Sequence, residues 1–210
     1  MDTTQIDRFF HLVSRDLTQP VRVILTGAAA GALWGSVRPS MDIDFALIPG
    51  RRTEAFWNRL AQAIEEAARQ IGIRVDYAED IDRWSSISLL DYQRHTRLYR
   101  RFGRLEVRLL EPAYWSIGKM TRYLDPDVRD MVLVFKRQRL GPERLARVWG
   151  KALRKSPRSG ALSQFRRQVE DFLRIHGRGI WGKKFHAART LRRFYRSAGI
   201  KIVPGFPPER

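Results

Sequence analysis

Apolar positions along this chain change rhythm near residue 111. Before it, short β-branched or alternating runs are interleaved with helical spacings; after it, only helical spacings remain. Thr3 to Val13 carries an amphipathic helical pattern, and Pro20 leads into an apolar strand from Val21 to Leu25. Gly27 to Trp34 is alanine-rich and helical, ended by Gly35-Ser36 and Pro39. Ile43 to Ile48 reads as a second strand, stopped by Pro49-Gly50. From Thr53 to Ile71, Phe56, Leu60, Ala63, Ile64 and Ala67 recur at helical spacing, and Ile73 to Tyr77 is a third strand. Thr96 to Leu110 alternates around Phe102-Gly103 as a hairpin, with Leu105, Val107 and Leu109 on one side and Glu106 on the other.

Past Glu111-Pro112 the spacing predicts helices over Ala113 to Tyr123, Pro126 to Arg139, Pro142 to Lys155, Gly160 to His176 and Gly179 to Ala198. Asp125-Pro126 and Gly141-Pro142 place proline in a first helical turn, where its missing N–H costs nothing. The expected fold class is α/β: a small mixed-sheet core over residues 1–140, then a helical region over 141–210.

Charge sharpens that division. Residues 1–135 hold 19 Lys and Arg against 18 Asp and Glu, whereas residues 136–210 hold 21 against 4, so nearly all of the net +18 lies in the last third. Cationic excess concentrated in one region is the footprint of a polyanion partner, bound through phosphate neutralisation and counterion release. Lys183, Lys184, Arg189, Arg192 and Arg193 are the expected nucleic-acid contacts, with Trp181 and Phe185 beside them as a stacking platform or as helix packing. The absence of cysteine excludes disulfides and thiolate metal sites. No apolar run is long enough for a bilayer and no basic-then-apolar leader opens the chain, so a cytoplasmic protein is expected. The four histidines have no metal-ligand spacing.

Candidate chemistry lies at Asp42-Ile43-Asp44. Residues i and i+2 of a strand share a face, so both carboxylates can reach one divalent cation while Ile43 and Phe45 face the core. Mg²⁺ suits such a site, because it takes one or two carboxylates plus substrate phosphates; Mn²⁺ is the alternative. A third carboxylate would complete a two-metal clamp. Glu106 is the expected third ligand and Asp76 its rival. Upstream, Gly27 opens a helix straight after a strand, where backbone N–H groups can approach phosphates.

The stretch Leu25-Thr26-Gly27-Ala28-Ala29-Ala30-Gly31, leading through Gly35-Ser36 and Arg38 to Asp42-Ile43-Asp44, resembles the opening of the DNA polymerase beta-like nucleotidyltransferase superfamily. Its signature is a Gly-Gly or Gly-Ser turn, a short helix and then paired acids. Gly27 matches the first turn position; Ala28 departs from the second, leaving only a backbone contact to phosphate. A second stretch, Gly118-Lys119-Met120-Thr121-Arg122 through Asp125, Asp127 and Asp130, is similar to the lysine-plus-aspartate segment of the AbiEii/AbiGii toxin-type branch, as is the Arg38 and Ser40 pair ahead of the acids. The resemblance covers roughly Val21 to Arg139.

It implies a metal-dependent transfer of a nucleotidyl group from an NTP to an acceptor hydroxyl, on an RNA such as tRNA. Asp42, Asp44 and Glu106 would hold the metal; Gly27, Ala28, Ser36, Arg38, Lys119 and Arg122 would hold the nucleotide; Asp130 or Asp127 would be the later acid. It also implies the toxin of a toxin–antitoxin pair with a separately encoded cognate antitoxin. The alternatives are a non-catalytic nucleic-acid-binding protein on the same fold, or a regulatory module whose acids are surface groups.

Overall fold

The computed structural model describes residues 2–36, 42–50, 53–81, 83–84, 87–89 and 91–201. They form an α/β protein that divides into two compact units, one of residues 1–81 with 92–111, the other of 82–91 with 112–210. The charge divides with them: the first unit carries 15 Lys and Arg against 13 Asp and Glu, the second 25 against 9.

The first unit runs α1 (Thr3–Ser14), β1 (Val21–Leu25), α2 (Gly27–Trp34), β2 (Asp42–Pro49), α3 (Glu54–Ile71) and β3 (Arg74–Ala78). Two strand pieces of the other unit follow, β4 (Arg83–Trp84) and β5 (Ile87–Ser88), before β6 (Thr96–Phe102) and β7 (Leu105–Leu110) complete it. The five-stranded mixed sheet has the order β3-β2-β1-β7-β6. β1 is antiparallel to β2 and parallel to β7, and β2 is parallel to β3.

Strand alternation gives the sheet two distinct faces. Val23, Leu47 and Val107 share a row on one, and Leu25, Phe45 and Leu109 another. Phe45 on this face meets Phe9 and Phe10 of α1 and stacks on Tyr77 at 5.6 Å between ring centroids. α1 starts with a reciprocal cap between Asp2 and Gln5. α3 starts on the Thr53 hydroxyl, buries Phe56, Leu60, Ile64, Ala67 and Ala68, and stops at Gly72 with φ +72°. Asp42 and Asp44 belong to the other face.

The second unit adds α4 (Pro112–Arg122), α5 (Asp125–Arg137), α6 (Pro142–Lys155), α7 (Gly160–Trp181) and α8 (Ala187–Ala198). The division therefore falls after Glu111 rather than after residue 140. Phe135 of α5 packs against Trp149 of α6 and meets Phe172 of α7 edge-on at 5.8 Å, while Trp149 bonds Ser116 of α4 through its indole N–H. These contacts give α4 and α5 the same core as the later helices.

α7 also runs further than its glycines suggested. Gly177 and Gly179 do not break it; the break comes at Gly182, with φ +84°. A Cβ at Gly177 would stand 2.1 Å from the Phe185 ring, so this glycine admits an aromatic ring rather than ending a helix. No helix among the described residues is long and apolar enough to cross a membrane.

Candidate active site

β1 ends at Leu25, Thr26 caps α2, and Gly27 begins it with φ +59°, a conformation open to glycine at little cost. β2 runs back alongside, and Thr26 donates its backbone N–H to the Asp44 carbonyl at 2.9 Å. The consequence is close approach: a Cβ at Gly27 would lie 1.6 Å from Asp44 Oδ2 and 2.8 Å from Asp44 Cβ. Gly27 is thus fixed twice, by its positive φ and by the carboxylate seated on its Cα. Asp44 is half-buried there, while Asp42, two residues earlier on the same strand face, is exposed.

Thr26 is 2% exposed, and its hydroxyl has no hydrogen-bond partner among the described residues. Nor does that hydroxyl cap α2. A buried hydroxyl left unpaired costs about 1–3 kcal/mol, so its place beside Gly27 and Asp44 calls for a polar partner. Sequence reading passed over Thr26, although its place between strand and glycine was the available signal. Ser36 lies just past the left-handed Gly35 that ends α2, and its N–H is spent on the Gly31 carbonyl. Ala28, the second residue of α2, brings no side-chain donor. Arg38 and Ser40 lie outside the described residues.

Sheet register sets the two candidates for a third carboxylate apart. Asp76 is the in-register partner of Asp44 on β3, so it shares that face at the strand spacing of about 5 Å. Glu106 pairs with Arg22, which in turn pairs with Ile48. It is on the same face as Asp44 but four positions further along and two strands across, about 13 Å by about 10 Å. There Glu106 receives Arg22 Nε at 3.0 Å, Arg101 Nη2 at 3.0 Å and Arg108 Nη1 at 3.3 Å. The Arg101 hydrogen bond, with those of Arg22 and Arg108, outweighs burial and holds its carboxyl below the usual range. Glu106 is therefore an anion already neutralised by three guanidiniums, not a partner of Asp42 and Asp44. Alternation put it on the correct face; it could not reveal the register. Among the described residues no three His, Asp or Glu side chains gather as a metal-holding group.

Lys119, Arg122, Asp127 and Asp130 come together inside the second unit. Lys119 Nζ donates to Asp127 Oδ1 and Asp130 Oδ2, both at 2.9 Å, and lies 5.5 Å from the Trp115 ring centroid. Arg122 holds Asp127 from the solvent side through two further hydrogen bonds. Lys119 and Asp127 are 2% and 0% exposed. Burial pushes the Asp127 carboxyl up, but Lys119 and Arg122 together pull it below its ordinary value. The expected phosphate-binding lysine is thus the cation of a buried ion cluster joining α4 to α5. A phosphate could reach its ammonium only by displacing two carboxylates.

In the basic region Lys183, Lys184, Arg189 and Arg192 are exposed, whereas Arg193 leans on Glu143 at 3.5 Å. Trp181 donates its indole N–H to the Leu140 carbonyl and Phe185 is buried over Gly177, so both rings take part in helix packing.

The donor set at β2 fits Mg²⁺: two oxygen ligands on one strand face, beside a cradle that any side chain at Gly27 would fill. It supplies no closed cage. Compared with protein-family models, curated proteins and solved structures, the chain matches none.

Proposed function

We propose that the chain is a metal-dependent nucleotidyltransferase of the DNA polymerase beta-like type, with its active site at Gly27, Asp42 and Asp44. The carrying observation is the seat of the Asp44 carboxylate on the Cα of Gly27, at the start of a helix. Asp42 and Asp44 would hold Mg²⁺ or Mn²⁺, which when bound neutralises triphosphate charge and activates the acceptor hydroxyl. The acceptor oxygen bonds to the α-phosphorus, the bond to the leaving pyrophosphate breaks, and the hydroxyl proton goes to solvent or base. Thr26 offers an unspent hydroxyl to a phosphate oxygen, and the start of α2 adds a favourable dipole for negative charge. Asp76 is the carboxylate whose register supports a role beside the pair. Glu106 and Lys119 drop out of the site because their charges are already matched. An RNA acceptor, such as tRNA, is supported by the positive charge of the second unit; the role of toxin with a cognate antitoxin rests on the family likeness alone.

A second reading keeps the fold without the chemistry, as a non-catalytic nucleic-acid-binding protein. The observation favouring it is that, among the described residues, no three His, Asp or Glu side chains gather as a metal-holding group. One experiment separates the two. The protein is incubated with each α-labelled NTP, Mg²⁺ and total RNA, and label is sought on RNA or protein. Transfer that Asp44→Asn abolishes supports the enzyme; transfer unaffected by Asp44→Asn removes this site, and no transfer with any NTP leaves the binding protein.

A further inference from the structure

Helical spacing places Arg144, Arg147, Lys151 and Arg154 on one exposed face of α6, opposite the buried Leu145, Trp149 and Leu153. On α8, Arg189, Arg192 and Arg196 do the same opposite Leu191, Phe194 and Tyr195. These two helices make the most extensive helix contact of the unit. They run in the same direction: Glu143 meets Arg193, a Cβ at Gly150 would stand 2.6 Å from the Phe194 carbonyl oxygen and Ser197 Cβ, and Gly199 faces Arg154. With the Gly150 to Ser197 line as the seam, the basic row of α6 lies about 90° to one side of its contact direction. The row of α8 lies about 100° to the opposite side of its own. For parallel helices those rotations bring both rows to the same surface. Gly150 has no side chain to hold the backbones apart, so the rows stand near the low end of helix spacing, about 8 Å.

The geometry points to this two-helix ridge as a binding surface for the phosphate backbone of a nucleic-acid strand, independent of sequence and of sugar. Three observations carry the assignment. The rows are regular: steps of three and four residues put successive cations about 5 Å apart along the axis, and the α6 row spans about 15 Å. At one phosphate per 3.4 Å of duplex strand, the α6 row matches about four phosphates and the shorter α8 row about three. The ridge also has no fully exposed large apolar side chain. Leu98, Leu124 and Ile175 are the large apolar side chains exposed among the described residues, and none belongs to α6 or α8, whereas a helix seated in lipid inserts apolar side chains between its cations. Finally, five of these seven cations, the four on α6 and Arg196, lie outside the cluster that sequence alone selected, yet packing joins the α6 row to Arg189 and Arg192.

This inference deepens the proposed function only in saying where the acceptor strand rests; binding itself needs neither NTP nor metal. The test is fluorescence anisotropy with a labelled single strand of about 20 nucleotides, as RNA and as DNA of the same sequence, without NTP or Mg²⁺, across a salt series. Arg147→Gln with Arg192→Gln is expected to lower affinity at least about tenfold for both strands and to flatten the log–log salt slope by about 1.4, two contacts at about 0.7 each. Arg8→Gln with Arg59→Gln, the same charge removed from α1 and α3, is expected to leave both nearly unchanged. Equal losses from the two pairs would show a net-charge effect and overturn the ridge. So would unchanged binding in the ridge variant, or ridge-dependent binding to phosphatidylserine vesicles but to neither strand. Asp44→Asn should bind like the parent, so loss of transfer and loss of the ridge are read separately.

Discussion

Replacing Gly27 with alanine tests the geometry on which the active-site reading depends. The new Cβ would lie 1.6 Å from Asp44 Oδ2, 2.5 Å from Cγ and 2.8 Å from Cβ. Turning the carboxylate away relieves the first two contacts but not the third, so β2 and the start of α2 must also separate. Alanine at φ +59° costs about 1–2 kcal/mol, and forcing an overpacked contact apart costs about 1–3 kcal/mol more. The expected loss is about 3 kcal/mol in urea unfolding, a large share of the about 5–15 kcal/mol available to a domain. Nucleotidyl transfer should vanish even in protein that remains folded, because Asp44 has been moved. A double-mutant cycle with Asp44→Ala isolates the contact: removing the carboxylate should return at least about 1 kcal/mol of the Gly27→Ala penalty. Two additive changes would mean that only backbone strain acts at Gly27. A Gly27→Ala protein as stable and active as the parent would refute the close approach itself.

Three further outcomes follow from the charged clusters. Lys119→Met removes the cation that bonds both buried carboxylates, Asp127 and Asp130, and should cost about 3–5 kcal/mol in denaturant unfolding; a loss below about 1 kcal/mol would mean the cluster is hydrated. Because the folded pKa of Asp127 is lowered, its contribution is present above its ordinary value of 3.8 and is lost as pH falls through the folded value. The stability gap between parent and Asp127→Asn should therefore narrow on acidification, and a gap constant with pH would contradict the pairing. Glu106→Gln should leave transfer within a few-fold of the parent while costing about 1 kcal/mol of stability at neutral pH, lost likewise below its ordinary value of 4.5; abolished transfer in a stable variant would restore Glu106 to the site.

Local rules were enough for much of this protein. Periodicity set the helices and strands because each buries one face, and i, i+2 alternation put Asp42 and Asp44 together with no tertiary information. The glycine after β1 could be read as a close approach because only glycine tolerates one, and the charge asymmetry was a matter of counting. Register, partner choice and helix pairing were not local. Glu106 sits on the expected face but at the wrong level, since alternation repeats every two residues and cannot say which row faces which. Lys119 looked like a free cation until the fold brought Asp127 and Asp130 to it. The basic rows of α6 and α8, some 40 residues apart in the chain, became one surface only because Gly150 lets two parallel helices touch. One residue type in one turn is a local decision; which two segments meet, and at what level, depends on the packing of the whole core.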